Sequence, residues 1–449
     1  MKIIIAGAGE VGFHLAKLLS YEAQDITLID SNTDSLAYAD NHLDIKVLRG
    51  DATSVSVLKE AKVSKSDLVI GVTSSETTNI TLCVLAKQLG CKRTIARISN
   101  TEFIHSRDEI KFTELGIDEL ISPEQLAAIE IQLLLNQSAF NDSYEFENGA
   151  LIMVGTLLQH GAPFIGKSVK EAAAFFPELN FVPIAIQRFG TQYTLIPRGD
   201  TIFNEGDQVY FVTSKEGVDE LYKLSGKVKE SIKNVMILGG SKIGFKAARD
   251  LCGNRFRVKL LEKDKNKAFD LADELPDALI INGDGRNVEL LEEEEITGMD
   301  AFISVTGNSE TNIMSCLVAK SRGVKKTIAL VENMDYFQLS QSIGIDTLIN
   351  KKLLAANNIF RHIRKGEVVA ITRLNNMNAE ILEFVVKPGS VIDGQVIKDL
   401  DFPRSAIIGG VIRNGEGMIA LGEFRVISGD RVVVCCLPQS IGKVEKLFF

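Results

Sequence analysis

The chain repeats itself, and this repetition limits its fold more than any other feature. Val235-Met236-Ile237-Leu238 runs into Gly239-Gly240-Ser241-Lys242-Ile243-Gly244, and Gly239 stands 232 positions after Gly7 of Gly7-Ala8-Gly9-Glu10-Val11-Gly12. Glu262 follows Asp30 at the same spacing. Gly50-Asp51-Ala52 is echoed by Gly283-Asp284-Gly285, and Val72-Thr73 by Val305-Thr306. Thr77-Thr78-Asn79-Ile80 returns as Glu310-Thr311-Asn312-Ile313, and Leu126-Ala127-Ala128 as Leu354-Ala355-Ala356. Cys83 and Cys316 also correspond, which assigns both to one core position. Such an ordered series marks a tandem duplication.

The unit that is duplicated declares its fold in its first thirty residues. Lys2-Ile3-Ile4-Ile5-Ala6 is a short apolar run of the kind that forms a buried parallel strand. The glycine turn follows at once, then a helical spacing of Val11, Leu15, Leu18 and Leu19, then a second strand ending at Asp30. In this arrangement Gly7 permits the tight turn, Gly9 lets backbone approach a pyrophosphate, and Gly12 lets helix pack closely on strand. The phosphates would rest on the free N–H groups at the positive end of the helix. Asp30, 21 residues past Gly9, is placed to accept hydrogen bonds from a ribose diol. A 2′-phosphate would meet its negative charge, so NAD or an adenosine nucleotide suits this site better than NADP.

Alternation of strand and helix continues, with strands expected near 2–6, 26–30, 45–49, 67–72, 93–97 and 118–121. This predicts an α/β doubly wound, mostly parallel sheet covered on both faces. Ligands in such sheets bind beyond the carboxyl ends of the strands, where Asp51, Thr73-Ser74 and Arg97 stand. Pattern alone leaves two readings for each. Asp51 is a ligand contact or a turn residue, Thr73-Ser74 a contact or a helix cap, Arg97 a contact or an ion pair.

A helix is expected from Pro123 to about Gln137, and then the character changes. Residues 150–214 carry short alternating strands, a helix near Val169–Phe176, and turns at Pro163, Gly190 and Gly199-Asp200, which together predict a small α+β unit. This unit recurs as well, since Gly206-Asp207-Gln208-Val209 matches Gly429-Asp430-Arg431-Val432. A Gly-Asp turn before an apolar strand is a hairpin signal and carries no catalytic meaning. A linker at Leu224–Ser231 separates the copies. The expected domains are 1–138 and 228–366, both Rossmann-like, each followed by a small α+β domain at 139–227 and 367–449.

Composition removes several function classes. No apolar run approaches the roughly 20 residues of a membrane-spanning helix. The N-terminus enters a strand directly with no signal-peptide plan, so the expected location is the cytoplasm. A net charge of −9 argues against nucleic acid as a partner. Six cysteines without C-x-x-C spacing and five histidines without a close pair point to no metal site and no disulfide framework. The small domains hold no cysteine–histidine or similar acid–base pair, as a hydride-transfer enzyme would require. An NAD-dependent oxidoreductase is therefore the weaker alternative to a nucleotide-operated sensor.

The whole chain resembles the TrkA family, regulatory subunits of bacterial Trk potassium uptake within the RCK (or KTN) group. The carriers of the resemblance are residues 1–12, Val72-Thr73-Ser74-Ser75, Ile95-Ala96-Arg97-Ile98 and the two-copy arrangement with small C-terminal domains. It implies a non-enzymatic, peripheral regulator on the cytoplasmic face of the inner membrane, docked on a TrkH/TrkG-type potassium transporter subunit. In the family, NAD(H) and adenine nucleotides (ATP, ADP) alter a ring of such domains, which implies a homotetramer. It also implies that Gly7, Ala8, Gly9, Glu10 and Val11 line the pyrophosphate and Asp30 the ribose. Asp51-Ala52 would border the adenosine, while Thr73-Ser74 and Arg97 close the site. A regulator of a different cation channel or antiporter is the alternative within the group. The second copy, Gly239, Gly240, Ser241, Lys242, Ile243 and Glu262, departs from the pattern. Ser241 puts a side chain where backbone should meet pyrophosphate, and Lys242 adds a cation. Weaker binding or a different nucleotide is expected there.

Overall fold

The computed structural model describes residues 1–20, 24–100, 102–105, 109–136, 142–175, 181–188, 191, 193–224, 232–254, 256–332, 336, 343–363, 368–374 and 377–448. They form two compact units, Met1–Ala128 with Asn350–Ile363, and Ile129–Ile349 with Arg364–Phe449. The expected turn at Gly190 and all of the expected linker except Leu224 lie outside the described residues.

In the first unit β1 (Lys2–Ala6), α1 (Glu10–Ser20), β2 (Asp25–Asp30), α2 (Thr33–His42) and β3 (Lys46–Arg49) build one half of a sheet. The helices α3 (Val55–Glu60) and α4 (Glu76–Gln88), the strands β4 (Leu68–Gly71), β5 (Arg93–Arg97) and β6 (Glu119–Ile121), the short α5 (Glu102–His105) and the long α6 (Pro123–Asn136) complete the copy. The sheet order is β3-β2-β1-β4-β5-β6 and every pairing is parallel. Burial explains the apolar runs: Ile3, Ile4, Ile5 and Ala6 of the central strand have no exposed surface. Ile4, Ala6 and Ile29 pack with Leu48, Leu58, Val69, Leu82 and Ala86 on one face. Cys83 lies in the core, where burial pushes its thiol up to about 12. The strand order reverses between β1 and β4, which opens a crevice at their carboxyl ends.

The first small domain is antiparallel, with β7 (Asp142–Phe146), β8 (Leu151–Leu157), β9 (Phe181–Gln187), β10 (Thr194–Leu195) and β11 (Gln208–Thr213) in the order β10-β9-β11-β8-β7. The helices α7 (Val169–Phe175) and α8 (Gly217–Leu224) accompany it. The sheet begins at Asp142, ahead of the alternating stretch expected from residue 150. Asp207 of the Gly-Asp turn is buried and pairs with Arg188, while accepting the Asn204 N–H at 2.9 Å. The Gly-Asp turn does not make the expected hairpin, because β11 pairs with β8 and β9 and not with the preceding β10; the buried Asp holds the turn itself.

The second copy repeats the plan with β12 (Asn234–Leu238), α9 (Lys242–Gly253), β13 (Arg257–Glu262), α10 (Lys265–Glu274), β14 (Leu279–Asn282), α11 (Val288–Glu293), β15 (Ala301–Ser304), α12 (Ser309–Ser321), β16 (Lys326–Leu330) and β17 (Thr347–Ile349). Its order, β14-β13-β12-β15-β16-β17, is that of the first sheet. Cys316 is buried where Cys83 is. Beyond α13 (Lys351–Ile363) come β18 (Val368–Arg373), β19 (Glu380–Val385), β20 (Ala406–Arg413), β21 (Glu416–Met418), β22 (Arg431–Cys436) and α14 (Ile441–Phe448). Asp430 repeats the role of Asp207, bound by Arg413 at 2.7 and 2.8 Å.

Two arrangements cross the boundary between copies. The helix α13 of the second copy packs on α1 of the first, inside the first unit. The two small domains share one core, in which Leu151, Met153, Ile184, Tyr210 and Val212 of the first meet Ile381, Ile412, Val433 and Cys435 of the second. Arg198 fastens them by donating to the carbonyls of Pro403, Arg404 and Ala406 at 3.2, 2.8 and 3.0 Å.

Candidate functional site

The first glycine turn is a steric necessity at two of its three glycines. Gly7 has φ of +109°, and a Cβ there would lie 2.8 Å from the Thr73 nitrogen. A Cβ on Gly12 would lie 1.7 Å from the Gly7 carbonyl oxygen, so only glycine lets α1 start this close to β1. Gly9 differs. A Cβ there would meet nothing within 4 Å. Its glycine serves the open space in front of the turn, where a ligand phosphate would approach the N-terminus of α1.

Asp30 closes the other side. Its Oδ2 accepts the Ala8 N–H at 2.5 Å and its Oδ1 the Asn32 N–H at 2.8 Å. The carboxylate therefore holds the turn in place and keeps lone pairs for a ligand hydroxyl. Asp51, at the end of the neighbouring strand, accepts from the Thr53 N–H and hydroxyl at 2.8 and 2.7 Å, and these bonds hold its carboxyl below the usual range. Ala52 beside it is buried.

The loop after β4 is organised by a residue that sequence reasoning left without a role. Buried Asn79 accepts the Thr73 N–H at 2.9 Å and the Thr73 hydroxyl at 2.7 Å. Its amide donates to the carbonyls of Thr73 and Arg97 at 3.1 and 2.9 Å. One side chain thus welds the β4 loop, α4 and the end of β5 together. The N–H, carbonyl and hydroxyl of Thr73 are thus all engaged, and Ser74 is exposed. The cap of α4 is Ser75, which accepts the Thr78 N–H. Arg97 points its guanidinium at Glu124 of α6, at 3.7 Å, and both are largely buried. Glu10, on the first turn of α1, pairs with Lys352 of α13. Val11 is buried beneath the turn.

The second turn is finished differently. Gly239 and Gly244 keep their steric roles, with φ of +103° at Gly239 and a Gly244 Cβ that would lie 2.0 Å from the Gly239 oxygen. Ser241 donates its hydroxyl to the Val305 carbonyl at 2.7 Å and accepts the Gly244 N–H at 3.3 Å, so it caps α9 itself. Glu262 accepts from the Gly240 and Asp264 N–H groups, each at 3.0 Å, repeating the bonds of Asp30 with a longer arm. The extra carbon explains Gly240 in place of Ala8: a Cβ there would lie 2.9 Å from Glu262 Oε2 and 2.3 Å from Leu271 Cδ1. Ile243 is buried and Lys242 exposed. Lys267 stands 3.3 Å from Glu262. Burial, the largest influence on Glu262, raises its pKa, but the Asp264 N–H, Lys267 and the Gly240 N–H together bring the carboxyl below the usual range. Asn312 repeats Asn79, accepting from Thr306 and donating to the carbonyls of Thr306 and Leu330. The cleft in front of this turn measures about 600 Å³ and is lined by Gly239, Ser241, Glu262, Lys263, Asp284 and Arg286, among others.

The structure thus gathers Gly7, Ala8, Gly9, Asp30 and Thr73 around one crevice, and Gly239, Gly240, Ser241 and Glu262 around its copy. Lys263, Lys267 and Arg286 escaped the sequence reading. Aligning the copies in register would have found them, because Ser31, Ser35 and Thr53 hold those places in the first.

Comparison with known proteins agrees with this architecture. The TrkA-N domain model matches residues 3–123 and 235–351, and the TrkA-C domain model residues 154–226 and 381–448. The Trk system potassium uptake protein TrkA of Haemophilus influenzae is 33% identical, over 100% of this chain and 98% of its own. The protein of the same name from Halomonas elongata is 31% identical over equal shares. Among solved structures, the GsuK RCK domain matches 100% of this chain and 94% of its own with a TM-score of 0.62 at 17% identity, which shows a shared fold.

Proposed function

The chain belongs to the TrkA family, and from that premise we propose how it works. It is a regulatory, nucleotide-binding subunit of potassium uptake and not an enzyme. The ligands of its crevices are NAD or NADH and the adenine nucleotides ATP and ADP. A solved relative of the fold is described as the GsuK channel bound to NAD, and another as GsuK bound to ADP. The observation that carries this reading is the glycine turn itself: Gly9 opens onto unfilled space at a helix N-terminus while Asp30 is locked 2.5 Å from the Ala8 nitrogen. That is a phosphate cradle with a ribose acceptor beside it.

In this reading Gly7, Ala8, Gly9, Glu10 and Val11 face the pyrophosphate. Asp30 takes the ribose, Asp51-Ala52 border the adenosine, and Thr73-Ser74 with Arg97 close the site. Gly239, Gly240, Ser241, Lys242, Ile243 and Glu262 form the second site. The four domains are 1–138, 139–227, 228–366 and 367–449. No described helix is long and apolar enough to cross a membrane. The chain's partner is a TrkH/TrkG-type transporter subunit at the cytoplasmic face of the inner membrane, and its assembly is a homotetrameric ring.

Gating follows from differential affinity. A nucleotide biases the ring only by the difference between its affinities for the two ring states. A tenfold difference is worth about 1.4 kcal/mol per site, and four coupled sites roughly 5 to 6 kcal/mol, enough to swing a gate. The test is equilibrium titration of the full chain with NADH, NAD, ATP and ADP, repeated on Asp30→Ala and Glu262→Ala. Binding that falls about a hundredfold on Asp30→Ala, as loss of a charge-assisted acceptor predicts, with no turnover of NADH, supports the reading. Absence of binding by every form of the protein refutes it.

A further inference from the structure

At the ribose end the two crevices carry opposite electrostatics. In the first, the loop after β2 and the turn after β3 present Asp30, Ser31, Ser35, Asp51 and Thr53, two carboxylates and no cation. In the second, the same positions hold Glu262, Lys263, Lys267, Asp284 and Arg286. Three neutral side chains have become three cations. The one cation that moves the other way is Arg49 of β3, exposed and in strand register with Asp30, whose counterpart Asn282 instead donates to the Glu262 and Lys263 carbonyls.

The geometry shows how these cations are engaged within the protein. Lys267 lies 3.3 Å from Glu262, so the ribose acid of the second site is already countered, with half of the lysine side chain still exposed to the cleft. Lys263 follows Glu262 directly and lines the same cleft. Arg286 grips Asp284 through Nε at 3.0 Å and Nη2 at 2.6 Å, which cancels the second carboxylate. A cleft that cancels its acids and keeps cation to spare is built for a ligand more negative than the first site accepts. The surplus sits beside the ribose acid, and a cation in this place accommodates a ribose 2′-phosphate.

We propose that the second-copy crevice takes an adenine dinucleotide phosphorylated on its ribose, of the NADP(H) type, while the first takes one with a free ribose diol. This rests on the nucleotide-binding reading above. Lys263 and Lys267 hold the added phosphate, and Glu262 keeps its structural bonds to the Gly240 and Asp264 N–H groups. One protein thereby reads two chemically distinct nucleotides.

The test uses the full chain carrying Asp30→Ala, so that the second site is observed alone. The protein has no tryptophan, which leaves the nicotinamide fluorescence of NADPH and NADH free of that background. The expected result is a ten- to hundredfold preference for NADPH over NADH, abolished by Lys263→Ser with Lys267→Ser. The reciprocal graft, Ser31→Lys with Ser35→Lys on Glu262→Ala, should raise NADPH affinity at the first site. Equal binding of NADPH and NADH overturns the proposal, as does ATP binding tighter than NADPH and weakened equally by the lysine changes. In both cases binding that still falls on Glu262→Ala leaves the nucleotide reading standing. Absence of all nucleotide binding in the unsubstituted chain removes both.

Discussion

The two glycine turns of this protein share a scaffold and differ in the side chains set around it. Gly7 and Gly12 are matched by Gly239 and Gly244 because backbone contacts of 2.8 Å or less leave no room for a Cβ at Gly7, Gly12 or Gly244, and φ above +100° disfavours one at Gly7 and Gly239. Asn79 is matched by Asn312 because the loop it secures is the same loop. Around that frame the copies diverge. Gly9 becomes Ser241, Ala8 with Asp30 becomes Gly240 with Glu262, and three neutral positions become Lys263, Lys267 and Arg286. Duplication preserved the residues that hold the crevice and changed those that line it.

The comparison is broken most severely at the shared asparagine. Asn79→Ala strands the Thr73 N–H and two carbonyls in a buried setting and should cost about 3 kcal/mol. Asn312→Ala should cost as much, and thermal or denaturant unfolding that finds one copy indifferent would show that the loops are held by different means. The compensated pair comes next. Gly240→Ala drives a methyl into Leu271 and Glu262 and should cost about 1 to 3 kcal/mol. Its opposite, Ala8→Gly, should stay under about 1 kcal/mol, a difference that melting curves of the two variants resolve.

Smaller in stability but sharper in function are the exchanged middle residues. Gly9→Ser meets no protein atom within 4 Å, so unfolding should move by less than about 0.5 kcal/mol while nucleotide affinity at the first site drops about tenfold. Ser241→Gly should cost only a few tenths of a kcal/mol as a lost cap. Titration calorimetry beside denaturant melts separates the two effects. The smallest effect concerns acid. Arg286 holds Asp284 down at about 2, against an ordinary value of 3.8. A depressed carboxyl contributes stability above its unfolded pKa and loses it as pH falls through the folded one, here between about 4 and 2. Asp284 is partly exposed, so the contribution is slight, but its titration is directly visible. Arg286→Thr, the first-copy residue, should move the Asp284 carboxyl resonance upward in pH toward the ordinary value.

The same contrast separates what was legible in the residues from what was not. The strand at Lys2–Ala6, the helix after it, the doubly wound parallel sheet and the duplication all followed from local chemistry. Apolar runs that must be buried on both faces read as parallel strands. Glycines without room for a Cβ cannot drift, and the repeat doubled every signal. The small domains were legible as antiparallel units because alternation is local, but the hairpins read from their Gly-Asp turns were not formed, since which strands pair across the sheet is a tertiary choice. The acid at Asp30 was legible by its place at the end of β2. By contrast, the bond from Asn79 to the Arg97 carbonyl and the aim of Arg97 at Glu124 needed distances between residues on separate elements.

Two decisions belonged to the tertiary structure alone. The residues of α13 show an apolar face, and amphipathicity requires that such a face be covered without naming what covers it. That it lies on α1, bringing Lys352 to Glu10, is settled by where the chain returns after the second sheet. The inward strands of the small domains likewise call for burial, and whether each forms its own core or both share one depends on which surfaces meet. Here Ile184 and Val212 find Ile412 and Val433. Hydrophobic burial is non-directional, so sequence determined which residues leave water and what each turn can accommodate, and only the assembled chain decided which of them leave it together.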